Sequence, residues 1–408
     1  MRGATLCAAL TAALLPRGAG AQSLMLTESE VLARLSAESP RVRAIRAPVD
    51  IARADVAAAA RWPNPRLTVD RESAAGVTEY LTMVAQPLPV TGRRAFEVQA
   101  ATALVSASAS RADDEVRRLR ADLRLAFAGL VAAQARERQL TAARDQAREL
   151  AGVLARREAA GDAAGFDRLR AEQEVLEIET DLGMAAIERA RAQAGLAGFV
   201  AGVADPSQIV AVAGPPRKGE PPSVETLLET AEAARGELVS LRREAEAAAL
   251  ALRAAERRLV PEPEIVGGTK SSSIPGGGVG SVIAVHASIP LFDRARPERA
   301  LAVARAAQVE AREDAFRQVL RAEIAALRTL VIERRAVAER YRLEAVRSAD
   351  ELERIARVSY EAGERGILEL LDAYRIGASA RTRQAALDAA TRQAEIELEF
   401  VSGWEGSR

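Results

Sequence analysis

Two short stretches decide how this chain folds: Gln86-Pro87-Leu88-Pro89-Val90-Thr91-Gly92-Arg93-Arg94 and Ile289-Pro290-Leu291-Phe292-Asp293-Arg294-Ala295-Arg296. Each closes a run of alternating residues and opens a long stretch rich in Ala, Arg and Glu. They are about 200 residues apart, and other landmarks recur in the same order at about that interval. Trp62-Pro63-Asn64-Pro65 returns as Val260-Pro261-Glu262-Pro263, with Gln86-Pro87-Leu88 matched to Ile289-Pro290-Leu291. Leu119-Arg120-Ala121-Asp122-Leu123 returns as Leu320-Arg321-Ala322-Glu323-Ile324, and Ala160-Gly161 as Ala362-Gly363. The chain is one plan written twice. Between the copies, Pro206, Pro215, Pro216, Pro221 and Pro222 exclude helix, so residues 205–222 read as a linker.

Outward from the two stretches, each copy predicts the same elements. A short helix (29–38, then 224–235) precedes a medium one (41–61, then 238–259), which the Pro pairs stop. Strands follow at 66–72 and 78–87, then at 264–270 and 279–289, joined by Gly-containing turns. After the second strand a long helix runs toward Gly161 or Gly363, and another returns over 167–197 or 368–400. In the first long helix Val105, Ala112, Leu119, Ala126, Ala133, Leu140, Ala147 and Leu154 recur every seventh residue. Ala109, Val116, Leu123 and Leu130 fill a second seam, which fails at Glu137 and Arg144. The second copy repeats the spacing at Ile324, Val331, Ala338, Ala345 and Leu352. Sustained sevens mean coiled-coil packing. From Gly92 to Gly161 such a helix is about 100 Å long at about 1.5 Å per residue. It needs partners along its seam, which the returning helices supply.

The strands alternate. Val279, Ser281, Ile283, Val285, Ala287 and Ile289 share one face, and Leu81, Met83 and Ala85 oppose Tyr80, Thr82, Val84 and Gln86. Their length suits a tilted membrane-crossing strand, while the alternation alone favours a small soluble sheet. Four strands do not close a barrel, and an open edge in lipid is forbidden, so in a membrane several subunits must pool them.

Composition narrows the function. Fifty-seven basic residues balance 57 acidic ones, which removes the electrostatic case for nucleic acid. One Cys and one His exclude a Cys/His metal cage and leave little for nucleophilic catalysis. The chain carries no cluster of catalytic groups, so it is not expected to be an enzyme or to need a cofactor. Met1–Ala21 reads as a signal peptide: Arg2, an apolar run over 4–15, then Ala19-Gly20-Ala21, with the mature chain starting near Gln22. Cys7 leaves with it, since Leu6 does not fit a lipidation site. His286 reads as a polar strand residue, Trp62 and Tyr80 as candidates for an interfacial aromatic belt, and Trp404 as tail packing.

The order of elements, the two post-strand motifs and the second tip resemble the TolC-type outer-membrane efflux proteins. That tip is Tyr360-Glu361-Ala362-Gly363 followed by Glu369-Leu370-Leu371-Asp372-Ala373. Gly92-Arg93-Arg94 resembles the heavy-metal, CzcC/CusC-like branch. The resemblance covers the whole mature chain: signal peptide 1–21, repeats 22–204 and 223–403, linker 205–222 and tail 404–408. It implies a mainly α chain with four strands and long helical hairpins, closing as a homotrimer with a twelve-stranded outer-membrane β-barrel and a periplasmic α-barrel. It further implies a passive export duct for metal cations or small toxic molecules, working with a periplasmic adaptor and an inner-membrane pump. On that resemblance Tyr80, Met83, Ile283 and Val285 lie in membrane strands, and Gly161, Asp167 and Gly363 lie at tips that meet the adaptor. Glu369 and Asp372 then form an acidic aperture ring that favours cations. The first tip departs from the pattern, because Arg170 stands where Asp372 would. The competing reading is a periplasmic coiled-coil scaffold or adaptor, which would carry one helical hairpin in β-rich domains rather than two.

Overall fold

The heptad pattern becomes long helix, as its spacing requires. The computed structural model describes residues 23–161, 165–200, 202–215, 217 and 219–404, so the expected signal peptide and residues 405–408 lie outside the described residues. In chain order the elements are β1 (Leu24–Leu26), α1 (Glu28–Ala33), α2 (Pro40–Ala59), β2 (Arg66–Ala74), β3 (Val77–Pro87), α3 (Arg93–Ala159), α4 (Gly165–Ala197) and β4 (Ile209–Ala211). There follow α5 (Val224–Ala234), α6 (Gly236–Arg257), β5 (Pro263–Ser272), β6 (Val279–Ala287), α7 (Arg296–Tyr341), α8 (Arg347–Glu361) and α9 (Ile367–Ser402). Apart from β1 and β4, the second copy retraces the first, with α7 and α8 together in the place of the single helix α3.

The described chain divides into two compact units, each drawing on both copies. One, the strand unit, comprises residues 35–125, 216–344 and those from 390 onward. Its four strands form one antiparallel sheet in the order β2-β3-β5-β6, so the two hairpins join through β3 and β5, with Glu79 opposite Ser272 and Pro87 opposite Glu264. Ala75 and Gly76 both have positive φ, 49° and 82°, the geometry of the tight turn whose twist matches a hairpin. Below the sheet, Leu227, Ala231 and Leu238 of α5 and α6 pack on Leu320, Ile324 and Val331 of α7 and on Ala394, Leu398 and Val401 of α9. Trp404 closes this core as expected. Arg235 is buried between Asp114, which it meets at 3.1 Å, and the rings of Phe316 and Phe400 at 5.2 and 5.0 Å. Gly236 is obligatory there: a Cβ would stand 2.1 Å from the Ser110 carbonyl oxygen on α3.

The other, the tip unit, holds residues up to 34, 126–215 and 345–389. It adds two short strands to the four expected ones. Within the segment 205–222, residues 209–211 form a strand parallel to Leu24–Leu26, making six strands among the described residues. Gln134 of α3 clamps Ala211 twice, donating to its carbonyl and accepting its N–H at 2.9 Å. Gln193 of α4 donates to the carbonyls of Ser207 and Ile209. These buried amides satisfy backbone groups that a short two-stranded sheet leaves open. At its far end Leu150 and Leu154 of α3, Ala171 of α4, Ala356 of α8 and Ile367, Leu370 and Leu371 of α9 make a second core.

Ala112, Leu119, Leu140, Ala147 and Leu154 of the seven-spaced series are buried on α3, as expected. In the second copy Ile324, Val331 and Ala338 are buried, but Leu352 is 48% exposed and Glu353 is 7% exposed. A π-turn at Arg342–Val346 separates α7 from α8. Its wider turn takes up one extra residue, so the buried face moves one position along the chain.

Candidate functional site

Two places carry the residues singled out in the sequence, and each lies within one unit. In the strand unit, the register sorts the sheet into two chemically distinct faces. Leu67, Val69, Tyr80, Thr82, Val84, Ile265, Val279, Ser281, Ile283 and Val285 share one face. Its large apolar members are all exposed, Ile283 at 84%. The opposite face carries Arg66, Asp70, Glu72, Glu79, Glu264, Lys270 and His286, with Met83, Leu81 and Val266 among them. Arg66 pairs with Glu264 at 2.6 Å and Lys270 with Glu79 at 2.7 Å. Tyr80, Ile283 and Val285 are therefore on the apolar face and Met83 is on the polar one. Arg71, opposite Tyr80 in the register, lies 5.9 Å from its ring, and Arg94 lies 5.4 Å from the ring of Trp62. The backbone edges of β2 and β6 have no strand beyond them in the sheet. No described helix is long and apolar enough to cross a membrane.

In the tip unit, both hairpins turn at a left-handed glycine, Gly161 at φ 83° and Gly363 at φ 75°. At the second tip the N–H of Gly363 bonds to Tyr360 and that of Glu364 to Ser359, the paired bonds of a Schellman cap. Gly161 makes the equivalent bond to Glu158. Asp167 and Glu369 then occupy the first turns of α4 and α9. There a carboxylate is favoured by the helix dipole whatever else it does. Glu369 and Asp372 are exposed, while Ile367, Leu370, Leu371 and Ala373 between and around them are buried, so the two acids share the outward side of α9. Arg375, one turn on, is paired with Glu174 of α4, whose hydrogen bonds hold its guanidinium charged still more firmly than usual. Arg170, in Asp372's place, is exposed.

Glu353 escaped the sequence reading, because only the π-turn brings it inward. It accepts from Gln146 of α3 at 2.9 Å and Arg381 of α9 at 3.0 Å. Gly377 leaves room for it, since a Cβ there would meet its carboxylate at 2.7 Å. Among the described residues no group of three or more His, Cys, Asp or Glu side chains could hold a metal ion.

This combination of an amphipathic four-stranded sheet and paired long helical hairpins is the TolC-type fold of outer-membrane channels. The chain is similar over 92% of its length, and of theirs, to a membrane protein from Pseudomonas aeruginosa, at 20% identity and a TM-score of 0.78. It is similar to the outer membrane channel CmeC of Campylobacter jejuni at 13% identity and TM-score 0.76, over 93% of this chain and 87% of that one. To CusC, described for its folding and transmembrane channel formation, it is similar at 16% identity and TM-score 0.75, over 93% and 92%. No family model and no curated protein sequence matches the chain.

Proposed function

We propose that the chain is the outer-membrane duct of a tripartite export system, a passive channel and not an enzyme. The observation that carries this reading is the sheet. An exposed apolar face, a charged opposite face and two open edges suit a sector of a β-barrel standing in lipid around water. Fold likeness to outer-membrane channels along nearly the whole chain supports it.

A duct of this kind requires partners. Copies must close the barrel, and a homotrimer supplies twelve strands. Exposed Phe166, Leu169, Leu176, Met184 and Ile187 recur at helical spacing along α4 and suit packing against another copy. The tips at Gly161, Asp167 and Gly363 would meet a periplasmic adaptor, and an inner-membrane pump would supply the energy. Glu369 and Asp372, repeated around the axis, would favour cations at the aperture. The cargo would be metal cations or small toxic molecules delivered by the pump, with the Gly92-Arg93-Arg94 resemblance favouring metal. The test is reconstitution of the purified chain into planar bilayers. Discrete, cation-preferring conductance steps are expected, and a chain that stays in the aqueous phase and leaves the bilayer silent would overturn the reading.

A further inference from the structure

Phe292 is 98% exposed. The two copies show that the fold does not need it. Both leave the sheet through the same tight turn: the N–H of Val90 bonds to Leu88 and that of Leu291 to Ile289, each around a proline. This aligns Leu88-Pro89-Val90 with Ile289-Pro290-Leu291, two residues away from the match that the sequence suggested. Both copies then enter their long helix through a left-handed residue, Gly92 at φ 80° and Ala295 at φ 52°. Between these two fixed points the first copy has only Thr91, whereas the second has Phe292, Asp293 and Arg294. Phe292 thus sits in a two-residue insertion and packs against nothing among the described residues. Burying such a ring is worth about 1.5–3 kcal/mol, and one exposed ring means little unless other exposed apolar residues adjoin it as a patch.

The surroundings say what covers it. Ile289 and Leu291, also exposed, extend the apolar face of β6 past its end. Trp62 and Val90, exposed at the same end of the sheet, flank its other strands β2 and β3. Arg294 and Arg296 follow within four residues and are exposed. Apolar strand, then aromatic ring, then Arg is the order met on leaving a hydrocarbon layer through its headgroups. We propose that Phe292 is a membrane-interface anchor: it seats at the acyl–headgroup boundary on the helix-side surface of the bilayer, with Arg294 and Arg296 at the level of lipid phosphates. This rests on the reading of the sheet as a barrel sector, and it fixes where that sector meets the membrane surface.

The test uses the full mature chain carrying Phe292→Trp in a Trp62→Phe background, reconstituted in phosphatidylethanolamine/phosphatidylglycerol vesicles containing brominated lipids. Trp404 packs in the helical core and gives a constant background, measured in Trp62→Phe alone. Bromines near the headgroup should quench the new tryptophan about twofold more than bromines near the bilayer centre. Ile283→Trp in the same background, mid-strand on the apolar face, should show the reverse order. Absence of quenching at position 292 with strong quenching at 283 would overturn the anchor and leave the barrel, placing the ring against protein or water. Absence of quenching at both would overturn the barrel reading as well.

Discussion

At the residue scale, the second tip pits one charge arrangement against another. Glu369 and Asp372 are exposed, and neither makes a hydrogen bond or ion pair among the described residues. The nearby Arg375 is occupied by Glu174. Neutralising the pair therefore costs the fold little beyond the dipole interaction of Glu369, about 0.3–1 kcal/mol, and the weak solvent-screened attraction of Asp372 for Arg375. Any large effect must come from what the acids face. If copies converge there, Glu369→Gln with Asp372→Asn should raise single-channel conductance and weaken cation preference, with a midpoint of thermal unfolding close to that of the parent. Unchanged conductance and ion selectivity would remove both residues from the aperture. Arg170 makes a useful comparison, because Arg170→Asp would give the first tip the acid it lacks and should deepen cation preference.

At the scale of elements, Glu262 joins the two copies at the sheet–helix junction. It precedes β5 and accepts from Thr91 at 2.9 Å and from Arg93, at the start of α3, at 2.9 and 3.3 Å. Burial alone would push its carboxyl up, but the hydrogen bonds from Arg93 and Thr91 outweigh burial and leave it below its ordinary value near 4.5. A depressed carboxylate adds stability above the unfolded value and loses it as pH falls through the folded one. Glu262→Gln should therefore lower stability by about 1–3 kcal/mol at neutral pH. The gap from the parent, read from denaturant midpoints, should shrink as pH drops below about 4.5. A gap independent of pH would mean that charge plays no part in the clamp. This junction also shows what a sequence does and does not disclose. Helices and strands were legible because a period of seven follows the seam along a helix and a period of two separates the two faces of a strand. The Pro-rich segment hid a strand, because Ile209–Ala211 is held by Gln134 and Gln193, partners distant in sequence. Leu352 was misplaced because nothing in the heptads announces a π-turn. Gly161 and Gly363 mark the ends of the long helices in the sequence, whereas the insertion that holds Phe292 shows only in the turn geometry of the two junctions.

At the scale of the whole molecule, the open four-stranded sheet is the part that the proposed barrel would complete with further copies. Ile283 lies in open solvent at 84% exposure, so replacing it with Arg should barely change the stability of the isolated chain. In a bilayer the same change places a charge on the lipid face, at a cost of about 2–4 kcal/mol per copy near the midplane, multiplied by the number of copies. Arg at position 286, on the opposite, charged face beside Glu264, should be tolerated in both settings. The expected result is a helical, monodisperse Ile283→Arg protein that fails to enter liposomes, while His286→Arg enters as the parent does. Equal insertion of the two variants would show that the sheet's faces do not divide lipid from water. Counting copies then fixes the closure. Four strands per chain give an eight-stranded barrel with two copies and a twelve-stranded one with three, and eight strands leave an interior only wide enough to be filled by side chains. A duct therefore needs at least three copies, and for the proposed homotrimer native mass measurement of the inserted protein should give three times the mass of the mature chain. Twice that mass would close the barrel too tightly for passage and leave the fold without the export role.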